Sequence, residues 1–447
     1  MDNHKPIFHI TGEKGWINDP NGVIKFKGQY HVFYQHHPYS SEWGPMHWGH
    51  VVSDDLLHWK YLPFALVPGD EFDKDGCFSG SALIYDDKLY IAYTGFIFNE
   101  DPSKIIQHQC LAVSSDGIHF EKLGLIIGED NLPKQYSIND FRDPCLYREN
   151  DMFFMLVAAR KINGRGNIIK YQSKDLKNWT FVGEILKEDS TGSMIECPYY
   201  YRDLGLLMYS EQYQPIDGYM HHNLHSSFYK LGVFDDDEKF VVSKSGTLDY
   251  GFDYYAPQMF SNENILIAWM DMWDRDEPSR KYNFAGSLTI PRRVNVVNGD
   301  LYQTPILPKQ FEQLDISNHY EEHVKVGFYK LDVNHLEDLQ ISIRKGQNYE
   351  TTFRLNKDEW VFDRSRSGEV INGKETDEDS LNGIRRMPFD HQDKQEIYLL
   401  LDLYSVEIFV NGKPLTSLIY PFENSDLLSI DVKANNVNLY KYKGEAL

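Results

Sequence analysis

A repeat constrains this chain more than any other feature. Five segments begin with one two-residue step, at Asp19-Pro20, Gly80-Ser81, Asp143-Pro144, Cys197-Pro198 and Ala256-Pro257, whose second positions are spaced by 61, 63, 54 and 59 residues. Each step is followed by a short apolar strand, a polar turn and a second apolar strand, as in VIKF/KGQ/YHVFY and LIY/DDK/LYIAY. A second mark pairs a polar turn residue with an aromatic four positions on, at Asp55/Trp59, Asp116/Phe120, Asp175/Trp179, Asp236/Phe240 and Asn298/Tyr302. The two marks stay in phase, which argues against two packed sandwiches with coincidental spacing. Each period holds two hairpins, hence about four strands, the make-up of a propeller blade. Five blades closed in a ring leave no long strand edge open.

The period stops after Tyr302. Thr304 to Leu314 carries two prolines and is expected to connect, and from about Glu321 strands alternate again, with Asn411-Gly412 as a hairpin turn. The fold class is therefore all-β: a five-bladed propeller over residues 1–305, a linker over 306–319 and a smaller β-sandwich over 320–447. The acidic loop from Glu375 to Asp379 is expected to be solvated surface.

Charge and composition remove several function classes. With 45 Lys+Arg against 67 Asp+Glu, the net charge of −22 repels nucleic acid and anionic membranes, and no basic run offsets it. No apolar run approaches the roughly 20 residues of a bilayer span. Met1 to Lys14 lacks the basic start and apolar segment of a secretory signal, so a cytoplasmic protein is expected. Cys77, Cys110, Cys145 and Cys197 form no CxxC and are expected to be reduced, buried thiols. His221, His222 and His225 have a spacing that suggests zinc at first sight, but loop histidines of this kind more often face solvent or sugar.

In a propeller, equivalent ends of the innermost strands meet at one mouth of the shaft. Asp19 and Asp143 occupy the same step of blades one and three, and Glu196 precedes that step in blade four, so three carboxyls should converge. Crowded acids lose hydration and repel, which raises at least one pKa and supplies a proton donor near neutral pH. One ionised and one protonated carboxyl are the equipment for cleaving a glycosidic bond. The same trio is also suited to Ca²⁺ or Mg²⁺. Gln35, Trp43, Trp48, Phe78, Ser79, Arg142 and Tyr255 lie in or just after the blade-start segments, joining directed hydrogen-bonding groups to flat apolar rings, the mixture that polyols need.

WINDPNG (16–22), Gln35 in HVFYQHHP, WGPMHWGH (43–50), FSGSA (78–82), FRDP (141–144), ECP (196–198) and DYGFDYYAPQ (249–258) together resemble the successive signatures of the β-fructofuranosidases, glycoside hydrolase family 32. VFDRSRSG and VEIFVNG resemble that family's sandwich domain. The resemblance implies Asp19 as nucleophile, Glu196 as acid/base and Asp143 as transition-state stabiliser. It places Trp16, Asn18, Gln35, Trp43, Phe78, Ser79 and Arg142 in a fructosyl pocket. Three positions depart from the family pattern: Ile195, Tyr199 and Tyr254, the first two flanking Glu196 and drawing attention to the leaving-group side.

The expected reaction is retaining release of fructose from the non-reducing end of sucrose, sucrose 6-phosphate or short fructo-oligosaccharides, with Asp19 ionised and the Glu196 pKa lifted toward about 6 to 7. No cofactor is required, since acid and nucleophile are both side chains. The expected partner is a small sugar, and a homodimer through the sandwich is compatible with the sequence. The rival readings are fructosyl transfer, an inverting arabinanase-like propeller and a non-catalytic lectin-like propeller.

Overall fold

The computed structural model describes residues 4–98, 101, 105–261, 263–314 and 316–443. It is a five-bladed β-propeller followed by a β-sandwich. Blade one joins Gly15–Phe26, Gln29–His37, His47–Ser53 and Lys60–Leu66. Blade two runs from Gly76–Tyr85 to Glu121–Ile127, blade three from Tyr136–Glu149 to Trp179–Glu184, blade four from Ile195–Tyr201 to Phe240–Thr247, and blade five from Tyr255–Phe260 to Asp300–Pro305. The first strand of each blade packs against the first strand of the next, and that of blade five against that of blade one, which closes the ring. Phe284–Ala285 also lies parallel against Gly15 and Trp16, fastening the end of the ring to its start.

The repeated two-residue step has one structural cause. In all five innermost strands the pairing register slips there, between Ile17 and Pro20, Phe78 and Gly80, Arg142 and Cys145, Glu196 and Tyr199, and Tyr255 and Gln258. A bulge bends a strand and re-aims its side chains. Asp143, Cys197 and Ala256 hold left-handed backbone at φ 64, 48 and 50, a conformation that costs a non-glycine residue and persists only where the surroundings impose it. Proline next in the chain suits the bulge, because its missing N–H is not called on by the ladder.

The second mark is a side-chain-capped turn. Asp55 Oδ1 accepts from the Leu57 and His58 amides at 2.9 Å each, and Asp116 and Asp175 repeat this in blades two and three, as short acidic side chains do in Asx turns. In blade four the acceptor is Asp235 rather than Asp236, taking the Lys239 amide at 2.8 Å.

Two six-stranded antiparallel sheets form the sandwich. One has the order Phe311–Leu314, Asn436–Tyr442, Gly327–Asn334, Lys394–Leu401, Ser405–Val410, Lys413–Leu418. The other runs His319–His323, Leu427–Lys433, Asp338–Lys345, Glu350–Asn356, Glu359–Arg366, Ile384–Pro388. Their facing sides bury Tyr329, Leu331, Ile341, Phe353, Trp360, Ile397 and Leu399, with Phe353 stacked on Trp360 at 5.0 Å. Asn411 and Gly412 take φ 48 and 78 and turn the expected hairpin. Phe311–Leu314, within the segment expected to connect, is an edge strand, because its alternation matches the register of Asn436–Tyr442.

The acidic loop departs from the solvated-surface expectation. Glu375 is largely buried and pairs with Arg275 at 3.0 Å, while Asp377 caps the short helix Glu378–Leu381 through the Ser380 amide. A charged run says nothing about which cations the rest of the chain brings to it.

Candidate active site

The bulges of blades one to four turn side chains into one cavity of about 480 Å³ at the mouth of the shaft, lined by Asn18, Asp19, Gln35, Trp43, Phe78, Ser79, Arg142, Asp143 and Glu196 among others. The three expected acids are therefore brought together from blades one, three and four. Cys197 ties two of them: its amide donates to Asp143 Oδ2 at 2.9 Å and its thiol to Asp19 Oδ2 at 3.2 Å. Ser79 Oγ donates to the same Asp19 oxygen at 2.6 Å. Glu196 Oε1 accepts from Arg142 Nη2 at 2.9 Å and Nε at 3.2 Å, and its Oε2 accepts from the Tyr255 hydroxyl at 2.6 Å.

Three candidate residues stand behind the cavity. Trp16 is buried and donates from Nε1 to Asn18 Oδ1 at 2.8 Å, so it fixes the Asn18 amide. Tyr255 is equally buried and reaches the cavity only through its bond to Glu196. Trp48 likewise spends its Nε1 on the Phe78 carbonyl at 3.0 Å. The motif strings carry these residues together, but strand alternation sends neighbours to opposite faces. The same alternation removes the three departures from the cavity. Tyr199 donates to the Met259 carbonyl at 2.6 Å, Ile195 is core, and the Tyr254 ring lies under Arg292 at 5.0 Å.

The proton ordering differs from the expectation. Burial pushes the Asp19 carboxyl above its ordinary value, against the Ser79 hydrogen bond and with help from the Glu196 charge. Burial pushes Asp143 up to about 7, with Arg142 opposing and Glu196 and Asp19 adding. Burial acts upward on Glu196 too, but the Arg142 guanidinium and the Tyr255 hydroxyl outweigh it and hold it below the usual range. The cation beside the glutamate thus favours the ionised form of Glu196, while burial favours the protonated form of Asp143.

Sequence reasoning missed Gln107, Asp140, Gln212, Tyr213, Trp273 and Asp274 on the cavity wall. Gln107 and Asp140 accept from Arg142 Nη1 at 3.1 and 3.2 Å and set its orientation. Asp140, three residues before Asp143, was within reach of the spacing argument. Trp273 and Asp274 were not, since they lie in an excursion of blade five that breaks the two-hairpin plan. The three histidines part company: His225 lines the cavity, His222 Nδ1 sits 3.0 Å from Asp377 Oδ2, and the His221 ring meets Phe228 edge-on. Among the described residues no group of three or more His, Cys, Asp or Glu is arranged to hold a metal ion. The four cysteines are free and buried.

Residues 9–305 match the glycosyl hydrolases family 32 N-terminal domain and residues 302–443 match the family 32 C terminal. The chain is 36% identical to a sucrose-6-phosphate hydrolase of Zymomonas mobilis, over 94% of this chain and 88% of that one. It is also 36% identical to a raffinose invertase of Escherichia coli, over 95% and 91% of the two chains. The solved sucrose-6-phosphate hydrolase of Lactobacillus gasseri superposes with a TM-score of 0.89 at 26% identity, covering 99% of this chain and 94% of that one. With both domain models matched end to end and the acids of three blades gathered at one cavity, the chain belongs to glycosyl hydrolase family 32.

Proposed function

We propose that this enzyme releases fructose from the β-fructofuranosyl end of sucrose, its 6-phosphate or small related sugars, with retention at the anomeric carbon. The observation that carries the reading is the convergence of Asp19, Asp143 and Glu196 on one sugar-sized cavity. The relatives' names, sucrose-6-phosphate hydrolase and raffinose invertase, support fructose release.

Asp19 attacks the anomeric carbon while Glu196 gives its proton to the bridging oxygen. A fructosyl ester on Asp19 then forms and the leaving sugar departs neutral. Glu196, now ionised, takes a proton from water, which attacks the ester and frees fructose and the Asp19 carboxylate. The first step needs the proton on Glu196, whereas Arg142 and Tyr255 in the free site favour its ionised form. Entering sugar hydroxyls donate hydrogen bonds to Asp19 and Asp143 and favour their ionised forms, so binding itself moves the shared proton toward Glu196. Asp143, once ionised, holds ring hydroxyls and steadies the oxocarbenium-like transition state.

The test is sucrose hydrolysis followed by NMR at early times: fructose should appear first in the β-furanose form. Asp19→Ala should lower kcat by several orders of magnitude at unchanged melting temperature. Initial inversion, or near-normal turnover in that variant, would refute the assignment.

A further inference from the structure

The rim of the cavity is built differently from its floor. Asp19 and Asp143 are 7% and 6% exposed, whereas Trp43 and Tyr213 on the same wall are 45% and 56% exposed. With these open rings the cavity wall carries one exposed carboxylate, Asp274. Its backbone is left-handed at φ 59, a strained choice for a residue with a side chain unless neighbours enforce it.

The neighbours belong to the sandwich. Arg275–Asp276, directly after Asp274, pairs antiparallel with Asn372–Gly373. The next sandwich residue, Lys374, then grips Asp274 twice: its amide donates to the Asp274 carbonyl at 3.2 Å and its Nζ to Oδ2 at 2.7 Å. Asp274 Oδ1 has no donor among the described residues. His225 and Glu196 line the same cavity as Asp274, so this wall also carries the acid that serves the leaving oxygen. A floor that takes the terminal fructosyl unit leaves the rim to whatever is attached to it. A carboxylate and exposed flat rings on one cavity wall are the equipment for a sugar there.

We propose that Asp274 is a specificity-determining residue that accepts hydroxyls of the leaving sugar, and that Lys374 of the sandwich is the positioning residue that holds it in place. This rests on the fructose-releasing reading above and adds a task for the second domain: it fixes one wall of the first domain's cavity.

The experiment compares kcat/KM on sucrose with that on methyl β-D-fructofuranoside, whose leaving methanol has no further hydroxyls. In Asp274→Ala the sucrose-to-methyl-fructoside ratio should fall about tenfold, the loss of one charge-assisted hydrogen bond. Lys374→Ala should lower the ratio in the same direction, mainly through KM for sucrose, and Lys374→Arg should restore it. A ratio that does not move in Asp274→Ala, or an equal fall on both substrates, overturns the proposal. A wild-type enzyme that cleaves neither glycoside overturns the underlying reaction instead, so the two failures are told apart before any variant is made.

Discussion

Tyr255 shows how one hydroxyl sets the address of a proton. It donates to Glu196 at 2.6 Å and, with Arg142, keeps that acid low in the free enzyme. Tyr255→Phe removes a donor to the ionised form, so the Glu196 pKa rises; because kcat/KM reports the free enzyme, where Glu196 lies below the usual carboxylate range, the acid limb of that profile should move to higher pH. The expected fall in kcat is about tenfold, the scale of one hydrogen bond to a charge. A limb that stays put would show that another group controls it. The sequence located Tyr255 near the site but gave it the wrong task, because a motif string records which residues travel together and not which face of the strand each takes. For the same reason the three acids were legible, being the residues on the bulges, while the proton order was not. That order depends on Arg142 lying nearer Glu196 than the aspartates, a matter of distance that linear spacing does not contain.

At the scale of the element, the bulge is the unit of design. It appears in each innermost strand and produced the repeat by which the propeller was legible, down to the count of five. Gly80 shows how tight the arrangement is. A Cβ there would sit 2.0 Å from the Ala92 carbonyl oxygen and 2.7 Å from the Tyr93 Cα, both backbone atoms of the paired strand. Gly80→Ala must therefore push two strands apart, and overpacking of this kind costs at least about 1–3 kcal/mol. A melting temperature lowered by several degrees is the expected result, and calorimetry of the two proteins checks it. What the repeat did not reveal was its own exception. Blade five interrupts its hairpins with Trp273, Asp274 and the short helical turn Pro278–Tyr282. An insertion serving another domain has no reason to keep the period.

Across the whole molecule, the two domains share a buried ionic seam. Arg292 of blade five reaches Asp249 at 2.9 Å and Glu407 of the sandwich at 2.6 Å. His9 lies between Glu407 and Asp402, 2.9 Å from each. Burial alone would lower the His9 pKa, but the two carboxylates overcome it and carry it up to about 9. A pKa raised on folding contributes stability in full below the unfolded value of about 6.5, and the contribution is lost as pH rises through 9. His9→Gln leaves both carboxylates short of a cation and should cost about 3–5 kcal/mol at pH 7. The gap to wild type should narrow between pH 8 and 10, which thermal melts across that range would read. Removing the sandwich should leave the propeller unstable and insoluble, since Asp249, Asp253, Arg275 and Arg292 would lose partners while the apolar Phe252 and Met270 would lose their cover.

One contact of this seam bears on the order of synthesis. The amides of Ile7 and Phe8 are held by the Asp402 carboxylate, so this segment finds its anchor 395 residues further along the chain. A ribosome must deliver the 395 residues that separate Ile7 from Asp402 before this segment has anywhere to settle, so the contact forms late in synthesis, after the propeller blades between them have emerged.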